Sequence, residues 1–279
     1  LFEPVDLVAA ENQFLRSGWQ VEASRVLRQF LAAENVRDKC KLVLGGDEVA
    51  PRMEAFYGGG RIDDSDTPAE AFSAYDLSME DRKRGLFMMI YDRPPQYNMR
   101  DFFRPIATIE VQYGVEDADM LLGSFALASN FSMEPVRVPA FFKRTQKGLR
   151  LDWDSFVQAK YHTLRNFLDV PEGGRNGVFR LLVVEEMPEQ GRSVAGTRRY
   201  RVADPSNVSD SARINVPIDS EVGRALSVIN WRGVRNSAPK TRTVTLELAW
   251  EGDQTPELHV SKFLCWEFLG LGSEAAASR

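Results

Sequence analysis

The feature that most limits how this chain can fold is a change of hydrophobic period near residue 84. Before it, apolar residues recur every three or four positions. After it they alternate. Ala23, Val26, Leu27, Phe30 and Leu31 form one helical stripe in an otherwise polar stretch. Asn35 is placed to cap a second helix, with Asp38 in capping-box position, Val36, Cys40 and Val43 on its buried face and Gly45 to end it. Asp47 is expected to cap a third, carrying Val49, Met53, Phe56 and Tyr57, with Pro51 tolerated in its first turn and Gly58-Gly59-Gly60 as its stop. Beyond an acidic 61–82 loop with a short helix, period 2 predicts strands. They are Leu86–Tyr91, the alternation Ile109, Val111, Tyr113, then Phe125, Leu127, Phe131, then Val136, Val138, Phe142. Helices followed by an antiparallel meander make an α+β fold.

A further helix is expected from Asp152 or Asp154 through Val157, Tyr161, Leu164 and Leu168. The run Pro171-Glu172-Gly173-Gly174-Arg175-Asn176-Gly177 reads as a linker. After it come strands near 178–186, 198–204 and 211–216, a helix over 220–230 capped by Asp219, and strands over 241–250 and 257–268. Three strands, a helix and two strands is the order of an OB-like barrel, with an SH3-like barrel as the alternative. The expected organisation is an N-terminal extension (1–20), an α+β domain (21–170), a linker (171–177), a barrel domain (178–272) and a tail (273–279). The 279 residues suffice for two cores.

The helices Val26-Leu27-Arg28-Gln29-Phe30-Leu31-Ala32-Ala33 and Val49-Ala50-Pro51-Arg52-Met53-Glu54-Ala55-Phe56-Tyr57, followed by Leu151-Asp152-Trp153-Asp154-Ser155-Phe156, carry a resemblance. The chain resembles a family of uncharacterised bacterial proteins that have one N-terminal membrane helix. Its first half is similar to an NTF2-like cone, three helices packed on a curved antiparallel sheet. The resemblance implies a fold and a bacterial, membrane-anchored, extracytoplasmic setting, with membrane contact only through a segment absent from this chain. It implies no reaction. The 58–83 stretch is longer than the family pattern.

Chemistry-bearing residues are sparse. With His162 and His259 the only histidines and Cys40 and Cys265 the only cysteines, no metal set, disulfide framework or catalytic triad is expected, and no cofactor. Both cysteines read as small core hydrophobes and both histidines as boundary or surface residues. No nucleophile elbow, phosphate loop or dinucleotide fingerprint is present. An NTF2-like cone offers an interior in which a desolvated carboxylate becomes a general base. Glu110 is a candidate, although its alternation with Ile109 and Val111 points it outward. Asp152 and Asp154 are candidates too, and they read first as helix-start acids. In the second half Arg199 and Arg201 flank Tyr200, and Trp231 follows the helix. These are candidates for ligand or partner contact.

Charge argues against nucleic acid. The net charge is −5 and falls within residues 1–170, while 171–279 carry equal numbers of acidic and basic groups. Tyr200 also takes the opposite strand face from Arg199 and Arg201. The favoured expectation is a non-enzymatic binding or scaffold protein whose partner is a protein or small ligand. The alternative is a small-molecule binder or isomerase-like enzyme using the cone. A cone filled by side chains favours the first, and an open polar pocket the second.

Overall fold

The computed structural model describes residues 7–93, 136–186, 195–231, 241–268 and 270–271. It is an α+β fold with two antiparallel sheets, each covering its own core. Helix α1 (Leu7–Gln13) runs through a π-helical turn (Phe14–Gly18) into α2 (Trp19–Ala32). Leu15 and Trp19, within the expected 1–20 extension, are therefore one continuous helical face with Ala23, Val26, Leu27 and Phe30 and pack in the first core. Leu31 is only partly buried at its edge.

Asn35 caps α3 (Val36–Lys39) as expected, accepting from the Asp38 amide at 2.9 Å. A 3₁₀ turn (Cys40–Leu42) leads to α4 (Gly46–Tyr57). The expected Asp47 cap is corrected. Gly45, in the left-handed conformation, precedes the helix, and Asp47 lies in its first turn. Pro51 therefore sits two residues deeper than the sequence suggests, in the helix interior. Gly46 is required there, because a Cβ would lie 2.0 Å from the Cys40 carbonyl oxygen.

The first sheet is the meander β1 (Ser73–Tyr75), β2 (Leu86–Arg93), β3 (Val136–Thr145), β4 (Gly148–Leu151), with α5 (Met79–Lys83) between β1 and β2. Met89 faces Ala140, and Phe142 faces Leu151 across the ladders. Period 2 turns Phe87 and Met89 inward from β2, and Val138, Ala140 and Phe142 from β3. They meet α2, and Trp19 stacks on Phe87 at 5.2 Å. The strands expected around 109–131, and with them Glu110, lie outside the described residues.

The single helix expected over 152–168 is two. Helix α6 (Trp153–Lys160) ends at Tyr161, His162 takes a left-handed conformation (φ 50°), and α7 (Thr163–Asp169) begins after it. The periodic stripe is divided between cores: Phe156 and Val157 belong to the first, Leu164 and Phe167 to the second. The run 171–177 is tied to the second sheet. Gly174 donates to the Trp250 carbonyl at 2.8 Å, and Asn176 and Gly177 already pair with Ala249 and Leu248.

That sheet comprises β5 (Asn176–Glu186), β6 (Thr197–Ala203), β7 (Ser211–Pro217), β8 (Arg242–Glu251) and β9 (Glu257–Trp266), with α8 (Glu221–Ser227) between β7 and β8. The element order matches the sequence reading. Ser220, not Asp219, caps α8, accepting from Gly223 at 2.9 Å. The strand order is β7-β6-β5-β8-β9, and the sheet does not close into a barrel by hydrogen bonding among the described residues. Its core holds Tyr200, Trp231, Leu181, Val183, Leu226 and Leu246.

Candidate functional site

Two polar clusters are buried, and neither was visible as a motif. The first lies where α6 meets β5. Asp152 caps α6, its Oδ2 accepting from the Ser155 amide at 3.3 Å and from the Ser155 hydroxyl, so the capping role expected for it holds. It is also 3% exposed, which a cap alone does not require. Its Oδ1 accepts from the Arg180 guanidinium at 3.2 Å, and the same Arg180 nitrogen donates to Asp154 at 3.1 Å. Arg52 clamps Asp154 from the other side through two bonds of 2.6 and 3.1 Å.

Burial pushes the Asp152 carboxyl above its ordinary value, against the pull of Arg180 and with a further push from Asp154. The Arg180 guanidinium is pushed up by the two carboxylates, against its own burial. Below them, Gln158 donates to the Arg180 carbonyl and to Asp204, and accepts from the Arg180 amide. Asp210 extends the seam and pairs with Arg165 at 2.7 Å. Burial raises its carboxyl as well, against the Arg165 charge.

The second cluster gathers elements far apart in sequence. Asp64 projects from the 61–72 loop between Lys39 of α3 (2.7 Å) and Lys160 of α6, and all three are buried. The Tyr161 hydroxyl donates to Asp64 at 3.1 Å, and Lys160 also meets Asp66 at 3.0 Å. Lys39 donates to the Phe30 carbonyl at 2.5 Å and lies 4.2 Å from the centre of its ring. Burial lowers Lys39 and raises the phenols of Tyr57 and Tyr161. Sequence reading passed over these residues. A Lys in a helix and an Asp in an acidic loop look solvated until packing brings them together. The one available signal was helical spacing, which sets Lys39 beside Val36 and Val43 and Lys160 beside Phe156 and Leu164.

The second sheet separates the remaining candidates. Arg199 and Arg201 lie on the outer face. Arg201 and Arg213 both pair with Glu186, at 3.2 and 2.8 Å, and Arg199 donates to Asn215 at 3.4 Å. Tyr200 and Trp231 pack inward, their rings 5.8 Å apart and edge to face. A cleft of about 390 Å³ at this end is lined by Glu185, Arg198, Arg199, Ile229 and Trp231 among others, with Arg198 near Glu185 at 3.9 Å. Arg199 and Trp231 thus border one cleft, although the Trp231 ring is almost fully buried.

Among the described residues no group of three or more His, Cys, Asp or Glu side chains could hold a metal ion. No helix there is long and apolar enough to cross a membrane. Cys265 is half-buried, and burial raises its thiol above the ordinary value, against the activation a nucleophile needs. No family model matches the chain, and neither a curated protein nor a solved structure does.

Proposed function

We propose that this chain is a non-enzymatic binding or scaffold protein built from an NTF2-like unit and an OB-like, partly open barrel. The observation that carries the reading is that, among the described residues, side chains fill the space between α2, α6 and the first sheet. Trp19, Phe30, Phe87, Phe142 and Phe156 are all buried between α2, α6 and the sheet, in the space that an isomerase-like enzyme would keep open. Asp152 has the raised carboxyl that general-base chemistry calls for, but its oxygens are held by Arg180 and Ser155 inside a packed seam.

The arginines of the second sheet favour a protein or small-ligand partner over nucleic acid. Arg198, Arg201 and Arg213 each face a glutamate of β5, which neutralises the positive field that phosphates need. The resemblance to membrane-anchored bacterial proteins supports a place outside the cytoplasm.

The test is a thermal-shift screen of apolar and anionic small molecules against the intact chain. Proximity labelling in cells with wild type and an Arg199→Glu/Arg201→Glu variant complements it. The scaffold reading expects no saturable shift from apolar compounds, and a set of labelled proteins that the variant loses while its melting temperature holds. A saturable apolar ligand whose binding is abolished by Asp152→Asn would overturn it.

A further inference from the structure

Asp64 is arranged as a ligand is arranged. Two ammonium groups from separate helices, Lys39 and Lys160, and one phenol, Tyr161, converge on the Asp64 carboxylate in a buried site beside the Phe30 ring, and Lys160 also meets Asp66 at 3.0 Å. The carboxylate is one of three buried side chains on an otherwise exposed turn. Ile62, Asp64 and Thr67 are buried while Arg61, Asp63, Ser65 and Asp66 are exposed. The turn is self-contained: Ser65 donates its amide to Asp63 at 2.9 Å, and Thr67 donates to the Asp64 carbonyl at 2.9 Å.

An independent observation concerns the approach to the turn. Gly58, Gly59 and Gly60 precede it, the first two with positive φ, and a Cβ built on any of the three would meet nothing within 4 Å. Three successive glycines, whose backbone is conformationally permissive, link α4 to the turn. The ties beyond the Asp64 cluster include the Ile62 amide on the Glu34 carbonyl (2.9 Å) and the exposed Arg61–Glu34 pair.

We propose that Lys39, Lys160 and Tyr161 form a carboxylate-binding pocket that Asp64 occupies in cis, and that a small carboxylate from solution takes its place when the 61–67 turn swings out. The physical reason is charge. Withdrawal of Asp64 removes the carboxylate that Lys39 and Lys160 share and leaves the two ammonium groups facing one another, and an anion small enough for the vacated site restores the pairing. The inference stands apart from the scaffold reading, because it names a ligand site whatever the partner.

The probe is formate, measured on the full chain against chloride at equal ionic strength. Asp64→Gly should melt below wild type, and formate should raise its melting temperature saturably while chloride does not. Adding Lys39→Met and Lys160→Met to that variant should remove the response. If Asp64→Gly does not fold alone, refolding in formate but not in chloride supports the pocket, and failure in both overturns it. Equal effects of formate and chloride on a folded Asp64→Gly also overturn it. In wild type, the Ile62 and Thr67 amides should exchange with deuterium through a local opening insensitive to low denaturant. Exchange there only through global unfolding would sink the swing of the turn.

Discussion

The side-chain amide of Gln158 pairs with both backbone polar groups of Arg180. Its Nε2 donates to the carbonyl at 2.7 Å, and its Oε1 accepts from the amide at 2.9 Å. An amide presents the same donor and acceptor as a peptide unit, so Gln158 does for β5 what a neighbouring strand would do. This pins α6, which belongs to the first core, against the second sheet. Gln158→Ala leaves two buried backbone groups without partners, at a cost of about 1–3 kcal/mol for each group. Equilibrium urea unfolding should show a loss of stability of that order. A shift below about 0.5 kcal/mol would mean that the pairing contributes nothing net.

Arg180 is the second support of that seam. It is 3% exposed and meets two carboxylates, so Arg180→Ala leaves buried negative charge and should cost about 3–5 kcal/mol. Asp152→Asn should cost about 1 kcal/mol, because the amide oxygen still caps α6 and a neutral group suits the burial. The two variants are compared by the same denaturant titration. A larger loss for Asp152→Asn than for Arg180→Ala would contradict the assignment.

The pH dependence follows from the direction of the shifts. Asp152 and Asp210 both have folded-state values above the ordinary 3.8. Between 3.8 and the raised value the native state holds more protons than the unfolded chain, so their contribution to stability falls as pH rises through that window. Replacing Asp152 by Asn should therefore make the slope of stability against pH less negative just above pH 4. Chemical denaturation at a series of pH values reads it, and an unchanged slope would mean that Asp152 ionises normally in the fold.

The core stripe carries a loss as large as that of the Arg180 seam. Phe30 is fully buried, packs edge-on against Phe156 at 5.5 Å and supports Lys39. Phe30→Ala should cost about 3–5 kcal/mol. Gly46→Ala, small and apolar as it is, should cost about 1–3 kcal/mol because its Cβ meets the Cys40 carbonyl. Thermal unfolding checks both, and a neutral Gly46→Ala would show that the turn yields.

Glu186 supplies a test of the arginine face. Glu186→Gln removes the carboxylate that Arg201 and Arg213 share, so stability should change by less than about 1 kcal/mol. Salt-sensitive binding to a single-stranded oligonucleotide, absent in wild type, should appear at low ionic strength. Fluorescence anisotropy measures it, and strong binding by the unmodified chain would revive the nucleic-acid reading.

Local and short-range rules were enough to read the α+β class from the sequence. The stripe of α2, the Asn35 and Asp152 caps, the β2 and β3 alternation and the strand order in sequence of the second half all depend on neighbours a few residues away. Periodicity could not show that the 152–168 stripe breaks at His162, because the two halves of the stripe stay in phase while serving different cores. Nor could it show how the second sheet is arranged in space, since strand order within a sheet is a matter of pairing between distant segments. The site was hidden for the same reason. Asp152 was visible as a cap, but its burial beneath Arg180 joins positions 28 residues apart, and Asp64 meets Lys160 across 96. Charged residues are spaced like solvated ones in sequence, and desolvation is a property only of the packed chain. What the sequence by itself determined was which faces are apolar and where elements start. Which charges those faces enclose, and with whom they pair, was decided by tertiary packing alone.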